Sequence, residues 1–311
     1  MGILSGVRLF EHVSLLYEGL DDLVQHGEAF VRDGIVRDEP VLVLMPQAHV
    51  DALRDALGRD ATSVRFGDMQ QIGRNPSAII SVWRDFVAEH AHRRVRGIGE
   101  PIWHGRSVEE LLECHRHEAL INLAFQEASA TILCPYDLTT LDPDVIAESY
   151  RTHPYVITPR GREDSEQAMT FTEIARPVTD SLPEPETTPA VFGFGGPAIS
   201  EVRTFVAKQA GIAGLPQDRI DELVVAVNEV ATNTVRYGGA RGLVRTWVQD
   251  GRFIVEVRDD GFIDNALAGR LRPSAGAEGG YGLWLVNQLC DFVQLRSSQD
   301  GSIVRLHMRI G

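Results

Sequence analysis

Residues 223–233 (LVVAVNEVATN), 255–261 (VEVRDDG) and 279–286 (GGYGLWLV) decide how the C-terminal part of this chain folds. Around the first of them, Ile220, Leu223, Val224, Val227, Val230 and Ala231 recur at the spacing of a buried helical stripe, which predicts a helix over residues 217–236. Glu229 and Asn233, four apart, lie together on the opposite side of that helix. A solvated face would explain a lone Glu and Asn. The cluster Asn228, Thr232 and Asn233 argues otherwise, because these are poor helix formers where a free surface would carry Ala, Lys or Gln, and such local rule-breaking tends to mark function. The second stretch reads as a strand that ends at Asp259 and leaves its sheet through Gly261. The third is a glycine-rich entry to a helix whose Leu283, Val286 and Leu289 face a core. Alone, the one is an acidic turn and the other a tight bend. In this order and at these distances, the three describe a pocket for a nucleotide.

The chemistry of each residue suits that pocket. A magnesium ion on a triphosphate takes one or two hard oxygen ligands from protein, and the Asn233 amide oxygen is one. Glu229, a turn earlier, could accept a proton from an attacking hydroxyl or water. Asp259 at its strand end could accept the hydrogen bond of an adenine amino group, with Gly261 letting backbone approach the base. Gly279, Gly280 and Gly282 open backbone N–H groups and a positive helix end to phosphate oxygens. One mechanism is excluded outright: Lys208 is the only lysine and has no glycine-rich loop before it, so no P-loop holds the nucleotide. The arginine bias itself reads as codon preference.

Composition bounds the rest. The chain has 311 residues, 43% hydrophobic and 24% charged, enough for two domains with cores of their own. With a net charge of −14 and no run of Arg or Lys, direct binding of nucleic acid is not expected, and protein partners or small ligands are. Three cysteines and no cleavable apolar leader after Met1 suggest a reducing, cytoplasmic setting. No apolar run approaches the roughly 18 residues of a membrane span.

The N-terminal part alternates apolar runs (residues 13–17, 41–45, 64–66 and 130–133) with amphipathic segments (residues 20–31, 50–57, 77–89 and 108–128). That alternation predicts an α/β domain, a mostly parallel sheet with flanking helices, over residues 1–175. Residues 176–190 are rich in Pro, Glu and Thr, with too little apolar surface to fold alone, and read as a linker. Residues 191–311 then hold two helices, a hairpin turning at Asp250 and Gly251, a Gly- and Ala-rich lid, a helix from about Tyr281 to Cys290, and a last hairpin around Asp300 and Gly301.

The segments VAVNEVATNTVRYG, VEVRDDG and GYGLWLVNQLCD resemble the N, G1 and G2 boxes of the GHKL (HATPase_c) ATPases, most closely the bacterial anti-sigma factor kinases of the RsbW and SpoIIAB type, over about residues 193–311. The resemblance implies a GHKL/Bergerat two-layer α/β sandwich with ATP and Mg2+ as cofactors. It implies Glu229 as general base, Asn233 on magnesium, Asp259 with Gly261 on adenine, Gly280 and Gly282 along the phosphates, and Ser302 at the family's late Thr position. Arg270 or Arg272 would assist from the lid. Where the family carries the second glycine of DxGxG, this chain has Ile263, which bears on the lid hinge and hence on turnover.

Over residues 8–175, LLYEGLDDL, DEPVLVLM, GEPIW, HEALIN, LCPYD and RTHP resemble the MEDS sensory domain, which implies sensing of a small-molecule signal. MEDS joined to an anti-sigma type ATPase is the pairing of RsbA-family regulators. Implied partners are a sigma factor or an anti-anti-sigma protein of the STAS type, and a homodimer is compatible with the family. A sensor pocket is expected near Cys134, Tyr136 and Asp137, at the C-terminal end of a strand where open α/β sheets bind ligands. Cys114, His115, His117 and Cys134 also invite a metal reading, but no second paired ligand set stands at zinc-like spacing. His117–Glu118 echoes a histidine-kinase phospho-acceptor, yet no sustained heptad pattern surrounds it.

Overall fold

The computed structural model describes residues 9–274 and 280–311, in two compact units, Met1–Ile174 and Ala175–Gly311. In chain order the first contains β1 (Phe10–Tyr17), α1 (Leu20–Val36), β2 (Val41–Met45), α2 (Gln47–Leu57), β3 (Val64–Asp68), α3 (Met69–Ile72), α4 (Pro76–Glu89) and β4 (Val95–Gly99). It continues with α5 (Val108–Ala124), β5 (Ala130–Asp137), α6 (Pro143–Thr152), β6 (Tyr155–Thr158), β7 (Gly161–Asp164) and α7 (Phe171–Ile174). The seven strands form one sheet in the order β3-β2-β4-β5-β1-β6-β7, parallel except where β7 folds back on β6. Every residue of β2 (VLVLM) is buried, as a strand covered on both faces requires.

The apolar pattern does not announce β4, and its geometry explains why. Its sequence VRGIG holds two glycines, and a Cβ at Gly97 would stand 2.4 Å from the Trp83 ring. The indole from α4 fills the space that an apolar side chain on β4 would otherwise occupy. Arg96, buried on the same strand, is neutralised by Glu39 at 2.7 Å and Asp33 at 2.8 Å. The sequence reading also passed over the four-residue strands β6 (YVIT) and β7 (GRED), the second of which has no apolar residue.

The second unit contains β8 (Ala190–Gly195), α8 (Ile199–Ile212), α9 (Gln217–Tyr237), β9 (Arg241–Gln249), β10 (Arg252–Asp259), α10 (Tyr281–Leu289), β11 (Phe292–Ser298) and β12 (Gly301–Arg309). Its sheet is antiparallel throughout, in the order β11-β12-β10-β9-β8. The turn between β9 and β10 has positive φ at both Asp250 (49°) and Gly251 (69°), the backbone of a two-residue hairpin. Val202 and Val206 of α8, Leu223 and Val227 of α9, and Val286 of α10 join Val255 and Leu306 of the sheet in one core.

Segment 176–190, expected as a linker, lies against this unit. Its Val178 carbonyl accepts the Ser297 N–H, its Pro183 carbonyl accepts from Arg305, and Glu184 pairs with Arg245 at 2.6 Å and Arg258 at 2.9 Å. Carbonyls and a carboxylate, with Leu182 as a buried apolar contact, fasten what apolar surface alone would not. On that side of the sheet Glu256 is fully buried and holds Arg245, Arg258 and Arg305 within 2.6–3.1 Å.

Candidate functional site

The long helix α9 brings Glu229 and Asn233 to one half-exposed strip beside the start of α10. Gly282 faces both: a Cβ there would stand 3.0 Å from Glu229 Oε2 and 3.4 Å from Asn233 Nδ2. Any side chain at 282 would occupy the space in front of the two polar groups. Gly280 is the N-cap of α10 with φ 90°, a left-handed conformation that favours glycine, and no side chain caps the N–H groups of that first turn. Gly279 lies outside the described residues.

Asp259 is held from two sides. The Thr234 hydroxyl donates to Oδ2 at 2.6 Å, and the Gly261 N–H donates to Oδ1 at 2.9 Å. Gly238, just past α9, comes so close that a Cβ on it would sit 2.5 Å from the Asp259 carboxyl carbon. Thr234 escaped the sequence reading because it lies on the buried stripe of α9, where a threonine looks like core. Ser302 pairs with Asp259 across β10 and β12 and donates to the Gly261 carbonyl at 2.8 Å. Its Oγ is 2.9 Å from Ser297 Oγ, which accepts the Ile263 N–H at 2.8 Å. The backbone at Ile263 is thus tied to the sheet through two hydroxyls.

The lid arginines occupy other places. Arg272 stacks its guanidinium 5.4 Å from the Trp284 ring centre on α10, and the Arg270 side chain is buried. Between them and β10, the Gly269 carbonyl accepts from Asn287 Nδ2 at 2.9 Å, fixing the segment to α10. The site therefore offers a carboxylate oriented by a hydroxyl and an N–H, a half-exposed Glu and Asn that a glycine at 282 leaves uncovered, and an uncapped helix start. That set suits adenine, hard-metal and phosphate contacts in turn, so the residues fit ATP with Mg2+.

In the first unit the expected sensor residues divide. Cys134 and Tyr136, two apart on β5, are buried beside His12 and His153: Cys134 Sγ is 3.3 Å from His12 Nε2, and the Tyr136 ring meets His153 edge-on at 5.6 Å. Asp137, at the strand end, accepts from the Thr139 N–H and hydroxyl and from Thr140. Near the strand ends, Glu100 accepts from Tyr17 Oη at 3.0 Å and lies 2.8 Å from His49 Nδ1. Burial pushes the Glu100 carboxyl above its ordinary range, and the bond to Glu100 raises His49. Tyr17, Glu100 and His49 went unselected from sequence, although GEPIW and LLYEGLDDL contain two of them.

The metal set weighed from sequence does not assemble around Cys114. Its Sγ donates to the Pro101 carbonyl at 3.4 Å, and burial pushes its thiol up to about 12. His117 is buried, which leaves no exposed phospho-acceptor at that position.

Comparison with known proteins finds a different family in each part of the chain. Residues 11–154 match the MEDS family, the methanogen/methylotroph DcmR sensory domain, and residues 197–308 match the histidine kinase-like ATPase domain. A serine-protein kinase RsbW from Halalkalibacterium halodurans is 31% identical over 134 residues, which span 39% of this chain and 81% of that protein. Among solved structures, the RsbU and RsbW domains of a Mycobacterium tuberculosis protein overlap 40% of this chain and 32% of their own, at 19% identity and a TM-score of 0.30. The histidine kinase AdeS of Acinetobacter baumannii overlaps 40% of this chain and 70% of its own, at 12% identity and a TM-score of 0.24. This chain thus spans about a third of the first of those structures. Among the described residues, no helix is long and apolar enough to cross a membrane.

Proposed function

Because the chain belongs, through its C-terminal domain, to the RsbW family of serine-protein kinases and carries a MEDS domain ahead of it, we propose that it is an ATP-binding anti-sigma regulator. In this reading it phosphorylates a serine of an anti-anti-sigma partner of the STAS type, binds a sigma factor in competition with it, and answers to a signal received by the N-terminal domain. What supports the reading is the approach of Gly282 to Glu229 and Asn233, two segments 49 residues or more apart in sequence that meet so closely that only a glycine leaves the two polar groups uncovered.

When bound, ATP supplies the transferable γ-phosphoryl group, with Mg2+ offsetting its charge. Asp259, already oriented by Thr234 and Gly261, would accept a hydrogen bond from the adenine amino group. Asn233 would hold magnesium through its amide oxygen, and the N–H groups at Gly280 and Gly282 would line the phosphates, with Ser302 behind Asp259 and Arg270 or Arg272 drawn from the lid. Glu229 accepts the proton of the serine hydroxyl, or orients it, for which an ordinary carboxylate suffices.

A second reading rests on Ile263. With the second glycine of the G1 box replaced by a β-branched residue whose N–H is tied to Ser297, the lid hinge would be stiffer, and the protein would bind ATP only to hold a partner. Incubation with ATP, Mg2+ and a purified serine-containing partner separates the two. Acid-stable phosphate on the partner, lost in Glu229→Ala while ATP binding persists, supports the kinase. ATP binding without phosphate on any partner supports the switch, and acid-labile phosphate would point to a histidine kinase instead.

A further inference from the structure

Four side chains from distant parts of the first unit converge in its interior: His12 on β1, Glu118 on α5, Cys134 on β5, and His153 between α6 and β6. All four are buried to within 1% exposure, and one donor atom from each lies within 4.8 Å of the others. Sheet register accounts for half of the set. β1 pairs with β5 so that Cys134 lies opposite Ser14, and the period of two puts His12 and Cys134 on one face of the sheet. Helix α5 opens with a capping box at Ser107 and Glu110 and runs across that face, which brings Glu118 down onto it.

The hydrogen bonds behind the cluster fix where its lone pairs point. Asn122 Nδ2 donates to the carbonyls of Thr152 at 2.7 Å and Ala119 at 3.2 Å, so its oxygen faces His12 Nδ1 at 3.2 Å and accepts the proton there. His153 Nδ1 lies 2.9 Å from the Ser149 carbonyl, which can only accept. Both imidazoles thus spend their Nδ1 proton on an outward partner. Both Nε2 lone pairs are left aimed at the same Glu118 oxygen, 3.1 Å from each. The other oxygen of that carboxylate, Oε1, is buried with no hydrogen-bond partner. Lone pairs facing a carboxylate in a dry interior repel, unless a cation stands between them. This outward anchoring of Nδ1 is the arrangement that orients histidines on a metal.

We infer that His12, Glu118, Cys134 and His153 form a binding site for a divalent transition-metal ion of the zinc class. The donor set is two imidazoles, a carboxylate and a thiolate, which suits a tetrahedral, borderline-soft ion. With bonds of about 2.0–2.3 Å, the donors around such an ion stand roughly 3.2–3.6 Å apart. Three of the six donor–donor distances are 3.1 Å (twice) and 3.3 Å, and all six lie within 4.8 Å, so small side-chain shifts would close the set around an ion. On binding, the ion forms bonds to Nε2 of both histidines, to a Glu118 oxygen and to Cys134 Sγ, whose S–H bond breaks and whose proton leaves to solvent. Two anionic ligands then balance the dication. A cavity of about 660 Å3, lined by Phe10, Asn122, Pro154, Met169 and Phe171, approaches the cluster, with His12 in its wall.

The test uses the full chain, stripped with a chelator and titrated with Co2+ and then Zn2+ without nucleotide. The expected result is one Co2+ bound per chain, with the visible bands of a tetrahedral ion and a thiolate-to-cobalt absorption in the near ultraviolet, all bleached by one equivalent of Zn2+. Cys134→Ser loses the thiolate absorption, whereas Cys114→Ser and Cys290→Ser keep it. Should Cys134→Ser fail to fold, the wild-type stoichiometry and bands, together with His12→Gln weakening Co2+ at least tenfold, decide the matter. Absence of Co2+ binding to the folded wild type at tens of micromolar overturns the site, as does a thiolate absorption that follows Cys114 or Cys290.

Discussion

The proposed nucleotide cradle of the C-terminal domain and the His12–Glu118–Cys134–His153 cluster of the N-terminal domain are both assembled from polar side chains far apart in sequence, yet their surroundings differ. In the cradle, Glu229 and Asn233 stay half-exposed, and the lack of a side chain at Gly282 leaves them uncovered. In the cluster every donor is sealed. A group that water still reaches can hold a ligand that comes and goes, and losing it costs function with little stability. A sealed charge must have its partner permanently, so losing either costs the fold. The Glu256 network is the control, because it is a sealed cluster in the same domain as the cradle, supplied with its own cations by Arg245, Arg258 and Arg305.

The largest effect expected is on the open side. Glu229→Ala should lower phosphotransfer by about 10²- to 10⁴-fold while the unfolding midpoint in urea moves by no more than about 0.5 kcal/mol equivalent. Single-turnover transfer assays beside urea titrations would show it, and a large stability loss would break the contrast. Glu256→Leu should do the reverse, leaving three guanidiniums without their buried carboxylate and costing about 3–5 kcal/mol of stability. Equilibrium unfolding of the variant is the check.

Acid sharpens the same point. Burial, then the charges of Arg252 and Arg305, lowers His307 to about 3, so this imidazole is neutral in the folded domain while an unfolded one, near 6.5, is protonated. Between those values the unfolded chain binds the extra proton. Stability is therefore full above about pH 6.5 and is lost as pH falls toward 3, by on the order of a few kcal/mol. His307→Leu should flatten that part of the pH–stability curve, measured by urea unfolding at steps of pH. The smallest effect is expected at Thr234→Val, which keeps the packing but removes the hydroxyl that orients Asp259. ATP binding should weaken about 3- to 10-fold, roughly 1 kcal/mol, in a calorimetric titration.

The two regions also differ in how far the sequence discloses them. That the three strings come together was legible because each is short and contiguous, and helical spacing alone puts Glu229 and Asn233 on one side of α9. The role of Thr234 was not, since nothing local distinguishes a threonine that packs from one that donates across to β10. In the N-terminal domain the alternation of apolar runs disclosed β1, β2, β3 and β5, but β4 stayed hidden because Trp83 supplies the bulk that its glycines lack. His12 and His153 stand 141 residues apart, and only the pairing of β1 with β5 and β6 brings their neighbourhoods together. HEALIN, LCPYD and RTHP each contain one donor of the cluster, and no spacing within any of them reveals the set.

Calorimetric titration of the folded chain with ATP and Mg2+, wild type beside Asp259→Asn, tests the nucleotide cradle most directly. The expected outcome is one ATP per chain in the wild type and about 10- to 150-fold weaker binding in the variant, the cost of a lost charged hydrogen bond of about 1.5–3 kcal/mol. Equal affinity in both proteins, or no heat of binding at millimolar ATP in the wild type, would contradict it.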